Sequence, residues 1–200
     1  MTIPENEHFP QFTPLEYLEW EAQQELRHEL INGRISAMTS DSVERDSAER
    51  TCERITANLS TMLQNHLQSS VCRVFGADVK VQILESNSFL YPDVSVSGDV
   101  QDRSANKFIS HPCLIVEVLS PSTEADNRGD RFSLYRQVTS LQEYVLVGTD
   151  PIGLDVHQLN EQGEWEFNSY ESGDAIELKS VNFTFEIDRV YEDLVVEIAE

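Results

Sequence analysis

Segment 113–119 places one carboxylate, Glu117, inside an otherwise apolar and largely β-branched run. Such a run is typical of a strand that is buried on both faces. Removing a charge from water is costly unless a cation lies beside it, so Glu117 requires a metal ion or a basic side chain nearby. The chain must therefore fold so that such a cation reaches its central strand.

A second carboxylate, Asp93, lies between Pro92 and another short β-branched segment. If the two segments form neighbouring strands, Asp93 and Glu117 converge and share one divalent ion. Mg²⁺ prefers oxygen ligands, and one or two carboxylates with water usually suffice. The backbone carbonyl of Val118 would add a protein oxygen to this set. The sequence thus predicts a metal site formed by Asp93, Glu117 and Val118.

Both carboxylates also have purely structural interpretations. Pro-Asp is a common turn pair, so Asp93 could cap a turn without binding a metal. Glu117 could instead form a buried ion pair with Arg128 or Arg131, both of which follow it in the chain. These alternatives stay open at the level of sequence.

The order of apolar and turn-forming segments predicts one α/β domain over residues 1–200, with a mixed sheet flanked by helices. Thr13-Pro14 with Glu16 forms a helix start, and Asn32-Gly33 is a strong hairpin signal. Predicted helices lie at 14–24, 48–67, 126–138 and 190–198. Predicted strands lie at 29–31, 34–38, 71–75, 78–84, 94–97, 113–119, 143–147 and near 183, with a hairpin over 154–171.

The formal net charge of −22 argues against broad, nonspecific attraction to nucleic acid. A nucleic-acid surface would have to be local, and the nearest candidate is the basic cluster of Arg128, Arg131 and Arg136. Tryptophans and tyrosines form no stripe interleaved with bases, so no surface for stacking single strands is predicted.

The sequence contains neither a signal-peptide pattern nor a long apolar run, which predicts a cytoplasmic protein without a membrane span. Its cysteines are odd in number and widely spaced among apolar neighbours, at positions 52, 72 and 113. This pattern predicts buried free thiols in a reducing compartment, with neither a disulfide framework nor a zinc site.

Pro92-Asp93, followed by Glu117-Val118-Leu119, resembles the PD-(D/E)xK nuclease superfamily. The run from Val116 to Thr123, with Arg128-Gly129 and Tyr135 after it, more closely resembles a large bacterial family of restriction-endonuclease-like proteins. The likeness extends from position 27 to position 147. It implies a restriction-endonuclease-like fold, Mg²⁺ or Mn²⁺ as cofactor, DNA as substrate and a homodimeric assembly.

The resemblance also assigns residues. The superfamily lysine falls at Leu119, and the bacterial family moves it to the following helix, where this chain has Arg131. Arginine stays protonated, so Arg131 can stabilise a phosphate but cannot act as a base. The catalytic set is then Asp93, Glu117 and Arg131. Further candidates are Glu29, Asp126, Asn127 and Arg128.

Two functions of different classes follow from these observations. The first is a metal-dependent nuclease that hydrolyses phosphodiester bonds, with activity weakened by the replacement of lysine with Arg131. The second is a catalytically decayed nuclease fold that serves as a binding or scaffold module. In that case Glu117 would pair with Arg131 and bind no metal.

Overall fold

The computed structural model describes residues 11–38, 47–105, 107–119 and 127–194. The helices are α1 (Pro14–Glu21), α2 (Ser47–Leu67) and α3 (Phe132–Tyr135), with a π-helical turn at Asn127–Arg131 and 3₁₀ helices at Asp102–Ser104, Lys179–Val181 and Ile187–Tyr191. The strands are β1 (His28–Ile31), β2 (Arg34–Ala37), β3 (Arg73–Gly76), β4 (Lys80–Ile83), β5 (Ser88–Leu90), β6 (Val94–Ser97), β7 (Phe108–Ile109), β8 (Leu114–Leu119), β9 (Glu143–Gly148), β10 (Gly153–Leu159), β11 (Trp165–Glu171), β12 (Ala175–Leu178) and β13 (Phe183–Glu186).

A capping box begins α1, as the sequence predicts. The Thr13 hydroxyl accepts a hydrogen bond from the Glu16 N–H at 3.3 Å, and the Glu16 carboxylate accepts one from the Thr13 N–H at 2.9 Å. The helix ends at Glu21 and so is shorter than predicted. Asn32 and Gly33 both have positive φ, at 50° and 80°, which suits the tight turn that pairs β1 with β2.

The strands form two larger sheets and a two-stranded ribbon, where the sequence predicts a single sheet. One sheet has the order β2-β1-β5-β4-β7, and the other has the order β11-β10-β9-β8-β6-β3. Strand β8 pairs parallel with β9 and antiparallel with β6, so this second sheet is mixed and β8 lies inside it. The predicted α/β class, with mixed sheets and flanking helices, is confirmed.

The side chains of β8 alternate between two apolar clusters. Leu114, Val116 and Val118 belong to the cluster that includes α2, whereas Ile115 and Leu119 belong to the cluster that includes α3 and β4. Because strand side chains alternate with period two, Glu117 shares its face with Ile115 and Leu119. The one charge in this buried strand therefore points toward α3 and the five-stranded sheet.

Several other predictions are confirmed, and some are wrong in detail. The apolar spacing in 48–67 predicts a buried stripe on α2, and the helix buries Ile55, Leu59, Met62, Leu63 and Leu67 of it, whereas Ala48 and Cys52 are half-buried. The patterns do not predict β5, β7 or β12, because short strands carry little periodicity. The predicted 126–138 helix consists, where it is described, of the π-helical turn and α3. At the C-terminus a 3₁₀ helix ends at Tyr191, and residues 195–198 of the predicted helix lie outside the described residues.

The cysteines Cys52, Cys72 and Cys113 are free thiols, as predicted, but they are half-buried rather than buried. Burial raises the pKa of the Cys113 thiol to about 12, which keeps it protonated at neutral pH. None of the helices in the described part of the chain is long and apolar enough to cross a membrane.

Candidate functional site

Arg131 lies between two buried carboxylates and donates hydrogen bonds to both. Its Nε and Nη2 atoms donate to Oε1 of Glu117 at 3.0 and 2.8 Å. Its Nη1 atom donates to the two carboxylate oxygens of Glu29 at 3.0 and 2.8 Å. The side chains of Glu29 and Glu117 are only 8% and 5% exposed, and that of Arg131 is 14% exposed. These are short, charge-assisted bonds of the kind that arginine forms best.

Three separate parts of the chain build this group. Glu29 lies in β1, Glu117 in β8, and Arg131 at the end of the π-helical turn before α3. Glu29 is held further by the backbone of Tyr91, whose N–H donates to Oε1 at 2.8 Å. Arg131 therefore joins the five-stranded sheet to the six-stranded sheet through paired charges.

Tyr135 adds a neutral donor to the same carboxylate. Its hydroxyl donates to Oε1 of Glu117 at 3.0 Å, and Arg131 Nη2 donates to that hydroxyl at 3.3 Å. Tyr135 lies four residues after Arg131, so the two side chains share one helix face. Oε1 of Glu117 thus accepts three hydrogen bonds from two residues.

Asp93 immediately precedes β6 and contacts β8. Its Oδ2 atom accepts a hydrogen bond from the Val118 N–H at 2.7 Å, at the point where the β6–β8 ladder stops. This bond places Asp93 beside the residue that follows Glu117. The contact matches the capping role open to Asp93 and also the convergence that a shared metal ion requires.

Burial and mutual repulsion govern the charges of this group. Burial, together with the negative charge of Asp93, raises the pKa of Glu117 to about 7 against the opposing effect of Arg131. Burial likewise raises the pKa of Asp93, while the Val118 N–H and Arg131 lower it. Burial lowers the pKa of Arg131, but Glu117, Tyr135 and Glu29 together raise it well above its ordinary value. Arg131 therefore stays charged.

The raised pKa of Glu117 predicts how stability changes with pH. Because the folded protein holds this proton up to about pH 7 and the ordinary pKa is 4.5, unfolding releases a proton between these values. The stabilisation of the folded protein by this proton is complete below pH 4.5 and is lost as the pH rises through 7. We expect the free energy of unfolding of wild type to fall by about 3 kcal/mol relative to that of Glu117→Gln between these pH values.

Unfolding of wild type and Glu117→Gln by guanidinium chloride at pH 4.5, 6 and 8, in the presence of a chelator, measures this pH dependence of stability. A constant difference in unfolding free energy between wild type and Glu117→Gln would contradict the raised pKa of Glu117.

The hydrogen-bond donors of the described residues leave one oxygen each of Glu117 and Asp93 to which a metal ion could bind. Donors within the described part of the chain reach Glu117 only at Oε1 and Asp93 only at Oδ2, so Oε2 and Oδ1 receive none from it. With Glu29, three carboxylates face two cations, Arg131 and Arg27, which leaves a local formal charge of −1 if all are ionised. Hard, negatively charged oxygens of this kind fit Mg²⁺ or Mn²⁺.

The residues that the structure describes do not by themselves form a metal cage. Among the described residues, no group of three or more His, Cys, Asp and Glu side chains lies in a metal-binding arrangement. Glu29 directs both of its oxygens to Arg131. Asp93, Glu117 and the Val118 carbonyl stay the predicted ligands, because their oxygens could still hold an ion.

The remaining predicted residues are placed only in part. Asp126 lies outside the described residues. Asn127 and Arg128 belong to the π-helical turn, but their side chains are not among those described. Of the predicted set, Asp93, Glu117, Arg131 and Glu29 come together, with Val118 supplying its N–H to Asp93.

Sequence reasoning assigned no role in the site to Arg27 or Tyr135. Arg27 donates to the Ala77 carbonyl at 2.7 Å, lies 5.7 Å from the Tyr91 ring centroid and lowers the pKa of Asp93. It is thus a second cation near the carboxylates. The spacing of Tyr135 from Arg131 could have indicated its role, whereas Arg27 is separated from Asp93 by a long stretch of chain and left no local signal.

A second buried polar cluster adjoins this group through Tyr91. The Tyr91 hydroxyl and the His28 N–H both donate to Oε1 of Glu21 at 3.0 Å. The Lys80 ammonium lies 4.8 Å from the centroid of the Tyr91 ring, and burial lowers the pKa of Lys80. Tyr91 therefore contacts both clusters, through its backbone on one side and its ring on the other.

The chain belongs to a family of restriction-endonuclease-like proteins. Residues 14–189 match the model of the Uma2 family, which is described as "putative restriction endonuclease". The matched segment includes Glu29, Asp93, Glu117 and Arg131. The family resemblance inferred from the sequence motifs is thereby confirmed.

Two relatives come from the cyanobacterium Synechocystis sp. (strain PCC 6803). The uncharacterized protein slr1290 is 40% identical over 186 residues, covering 93% of this chain and 94% of that protein. The uncharacterized protein sll1609 is 33% identical over 137 residues, covering 68% of this chain and 73% of that protein. A crystal structure from Anabaena variabilis, described as "a putative nuclease belonging to DUF820", matches with a TM-score of 0.70 and 16% identity. That match covers 90% of this chain and 97% of the other, and it establishes a shared fold.

Proposed function

We propose that this protein is a metal-dependent nuclease that hydrolyses phosphodiester bonds in DNA at a centre formed by Asp93 and Glu117. The observation that carries the proposal is that Glu29 and Glu117 bond to Arg131 while Asp93, held by the Val118 N–H beside Glu117, lies near enough for Arg131 to lower its pKa. Membership of the restriction-endonuclease-like family supports nuclease chemistry and supports DNA as the substrate.

Asp93 and Glu117, with the Val118 carbonyl, would hold Mg²⁺ or Mn²⁺. Such an ion lowers the pKa of a water molecule and neutralises charge that develops on the phosphate. The burial of Glu117 favours the binding of a metal ion, because a nearby cation stabilises a buried carboxylate with a raised pKa more than it stabilises a solvated one.

Arg131 and Tyr135 have positioning roles in this proposal. The two residues hold Glu117 through Oε1 and so direct its other oxygen away from α3. Arg131 stays protonated, so it stabilises negative charge on the phosphate and takes no proton from water. A solvent molecule must then lose its proton to another group or to bulk water.

Calorimetric titration of Mn²⁺ into wild type and Glu117→Gln at pH 8 tests the metal site. We expect a stoichiometric site in wild type that the variant loses. Glu85→Gln is the matched control, because it removes the same charge from an exposed turn and should leave the site intact. It also accounts for diffuse binding to a chain of net charge −22.

A decayed nuclease fold that serves as a binding or scaffold module is the second candidate. It is favoured by the saturation of Glu29 by Arg131, whose guanidinium also occupies Oε1 of Glu117. Such a pair can stabilise the fold without any metal. Identical, weak heats from wild type and Glu117→Gln would contradict the metal centre and support this candidate.

A further inference from the structure

Each N–H group of the Arg131 guanidinium already has an acceptor within the protein. Nε donates to Glu117, Nη1 donates to both oxygens of Glu29, and Nη2 donates to Glu117 and to the Tyr135 hydroxyl. The Tyr91 carbonyl lies 3.5 Å from Nη2 as a further acceptor. Since these nitrogens carry all the donors of a guanidinium, Arg131 acts on a phosphate through its charge and not through direct hydrogen bonds.

Arg27 is a second cation, and it reaches the carboxylates from the start of β1. Its carbonyl accepts a hydrogen bond from the Met38 N–H at 3.0 Å, which extends the β1–β2 ladder by one residue pair. Because strand side chains alternate between faces, Arg27 and Glu29 lie on the same face. The Arg27 guanidinium lies 5.7 Å from the Tyr91 ring centroid, and its Nη1 atom donates to the Ala77 carbonyl at 2.7 Å. These contacts fix Arg27 beside Glu29.

Solvent reaches both Arg27 and Asp93, which are half-buried. Arg27 lowers the pKa of Asp93, so the two charges lie close enough to interact. Lys80 also lies over the Tyr91 ring, with its ammonium 4.8 Å from the centroid, but Lys80 is only 9% exposed. A ligand from solution can therefore contact Arg27 and Asp93 together, whereas Lys80 is enclosed.

An arginine at this position suits a phosphate group. The carboxylates of Asp93, Glu117 and Glu29 repel a phosphate that enters their neighbourhood, and a cation in direct contact with the phosphate offsets this repulsion. A guanidinium binds phosphate oxygens through paired N–H groups and keeps its charge throughout the physiological pH range. Arg27 supplies such a cation at the solvent-accessible side of Asp93.

We propose that Arg27 binds a backbone phosphate of the nucleic acid at the Asp93–Glu117 centre. The proposal rests on the proposed nuclease function and divides the work of its two arginines. Arg27 contacts the substrate, and Arg131 positions the carboxylates. Because the contact is made to a phosphate, it adds affinity without regard to base sequence.

The salt dependence of DNA binding in a chelator tests the phosphate contact without any metal. Asp93→Asn is the background, because its amide oxygen can still accept the Val118 N–H while the charge that repels a phosphate is gone. We expect Asp93→Asn to bind a fluorescein-labelled duplex of about 12 base pairs more tightly than wild type, as measured by anisotropy.

Adding Arg27→Gln to Asp93→Asn should raise the dissociation constant about tenfold at low salt. It should also reduce the slope of log affinity against log salt by about one, because one phosphate contact is lost. Arg34→Gln in the same background is the matched control. It removes the same charge from an exposed residue at the turn end of the β1–β2 hairpin and should change neither quantity.

Two further measurements separate a phosphate contact from a merely structural role of Arg27. Arg27→Lys should retain the wild-type salt slope, because lysine keeps the charge, and should weaken binding less than Arg27→Gln does. In a chain with Asp93 intact, Arg27→Gln should keep or strengthen Mn²⁺ binding, because the negative excess at the carboxylates increases. Structural disruption would instead weaken the binding of Mn²⁺ and of DNA together.

Equal dissociation constants and salt slopes for Arg27→Gln and Arg34→Gln would overturn the proposal, as would a failure of Asp93→Asn to bind DNA. Arg27-dependent binding in the chelator, with no Mn²⁺ site in wild type, would support the phosphate contact while the nuclease assignment failed. A Mn²⁺ site that requires Glu117, with DNA binding that does not depend on Arg27, would leave the nuclease assignment standing and overturn this proposal.

Discussion

Replacing Arg131 with methionine should lower the free energy of unfolding by about 3–5 kcal/mol at pH 8. Methionine keeps much of the side-chain volume but leaves Glu29 and Glu117 buried without their shared cation. The loss should shrink as the pH falls from 8 through 7 to 5, because Glu117, whose pKa burial raises to about 7 even beside Arg131, takes up a proton in this range. Denaturant unfolding at both pH values measures this change.

Arg136→Met is the matched control for this prediction. Arg136 lies just after α3, is exposed and contacts the face of Phe132, so its loss should cost less than about 1 kcal/mol. Adding Glu117→Gln to Arg131→Met should recover part of the stability, because one of the unpaired charges is then gone. Equal stability of Arg131→Met and wild type at pH 8 would contradict the structural role of this ion pair.

Glu117→Gln should reduce Mn²⁺-dependent nicking of supercoiled DNA by about a hundredfold or more. The amide is nearly isosteric with the carboxylate and can still accept hydrogen bonds from Arg131 and Tyr135 through its oxygen. It is, however, a poorer ligand for a hard cation. The variant should therefore remain folded while losing cleavage, and nicking assays with circular dichroism separate the two effects.

Arg131→Lys is the companion variant for the cleavage assay. Lysine restores the residue type that the family resemblance places at this position, and a lysine with a lowered pKa can exchange a proton where arginine cannot. Increased metal-dependent nicking would indicate that the ancestral chemistry is weakened but present. Nicking that survives Glu117→Gln would contradict the assignment of the centre. Absence of nicking in wild type and Arg131→Lys would favour the scaffold candidate.

The ion pairs of Arg131 have opposite consequences for stability and for catalysis. They compensate two buried carboxylates and connect the two larger sheets, which stabilises the fold. The same bonds compete with a metal ion for Glu117. Three carboxylates beside Arg131 and Arg27 still leave a negative excess, and this excess is what a divalent cation would compensate.

Local patterns were sufficient to predict much of the fold. The capping box at Thr13, the Asn32-Gly33 turn and the apolar stripe of α2 are each encoded by residues close in the chain, so their geometry follows from local rules. The division of the strands into two larger sheets is not encoded locally. It depends on pairings such as β1 with β5 and β4 with β7, which join residues far apart in sequence.

The sequence by itself determined that Glu117 needs a cation, because a charge in a buried β-branched strand requires one wherever the chain goes. It also singled out Asp93 through its place between Pro92 and a β-branched segment, and the family resemblance pointed to Arg131. Only the tertiary structure decided that Arg131 bridges Glu29 and Glu117, that Tyr135 completes the hydrogen bonds of Oε1, and that His157 meets Phe132 and Phe167. Those contacts join separate strands and helices, and contacts of that range arise only when sheets and helices pack.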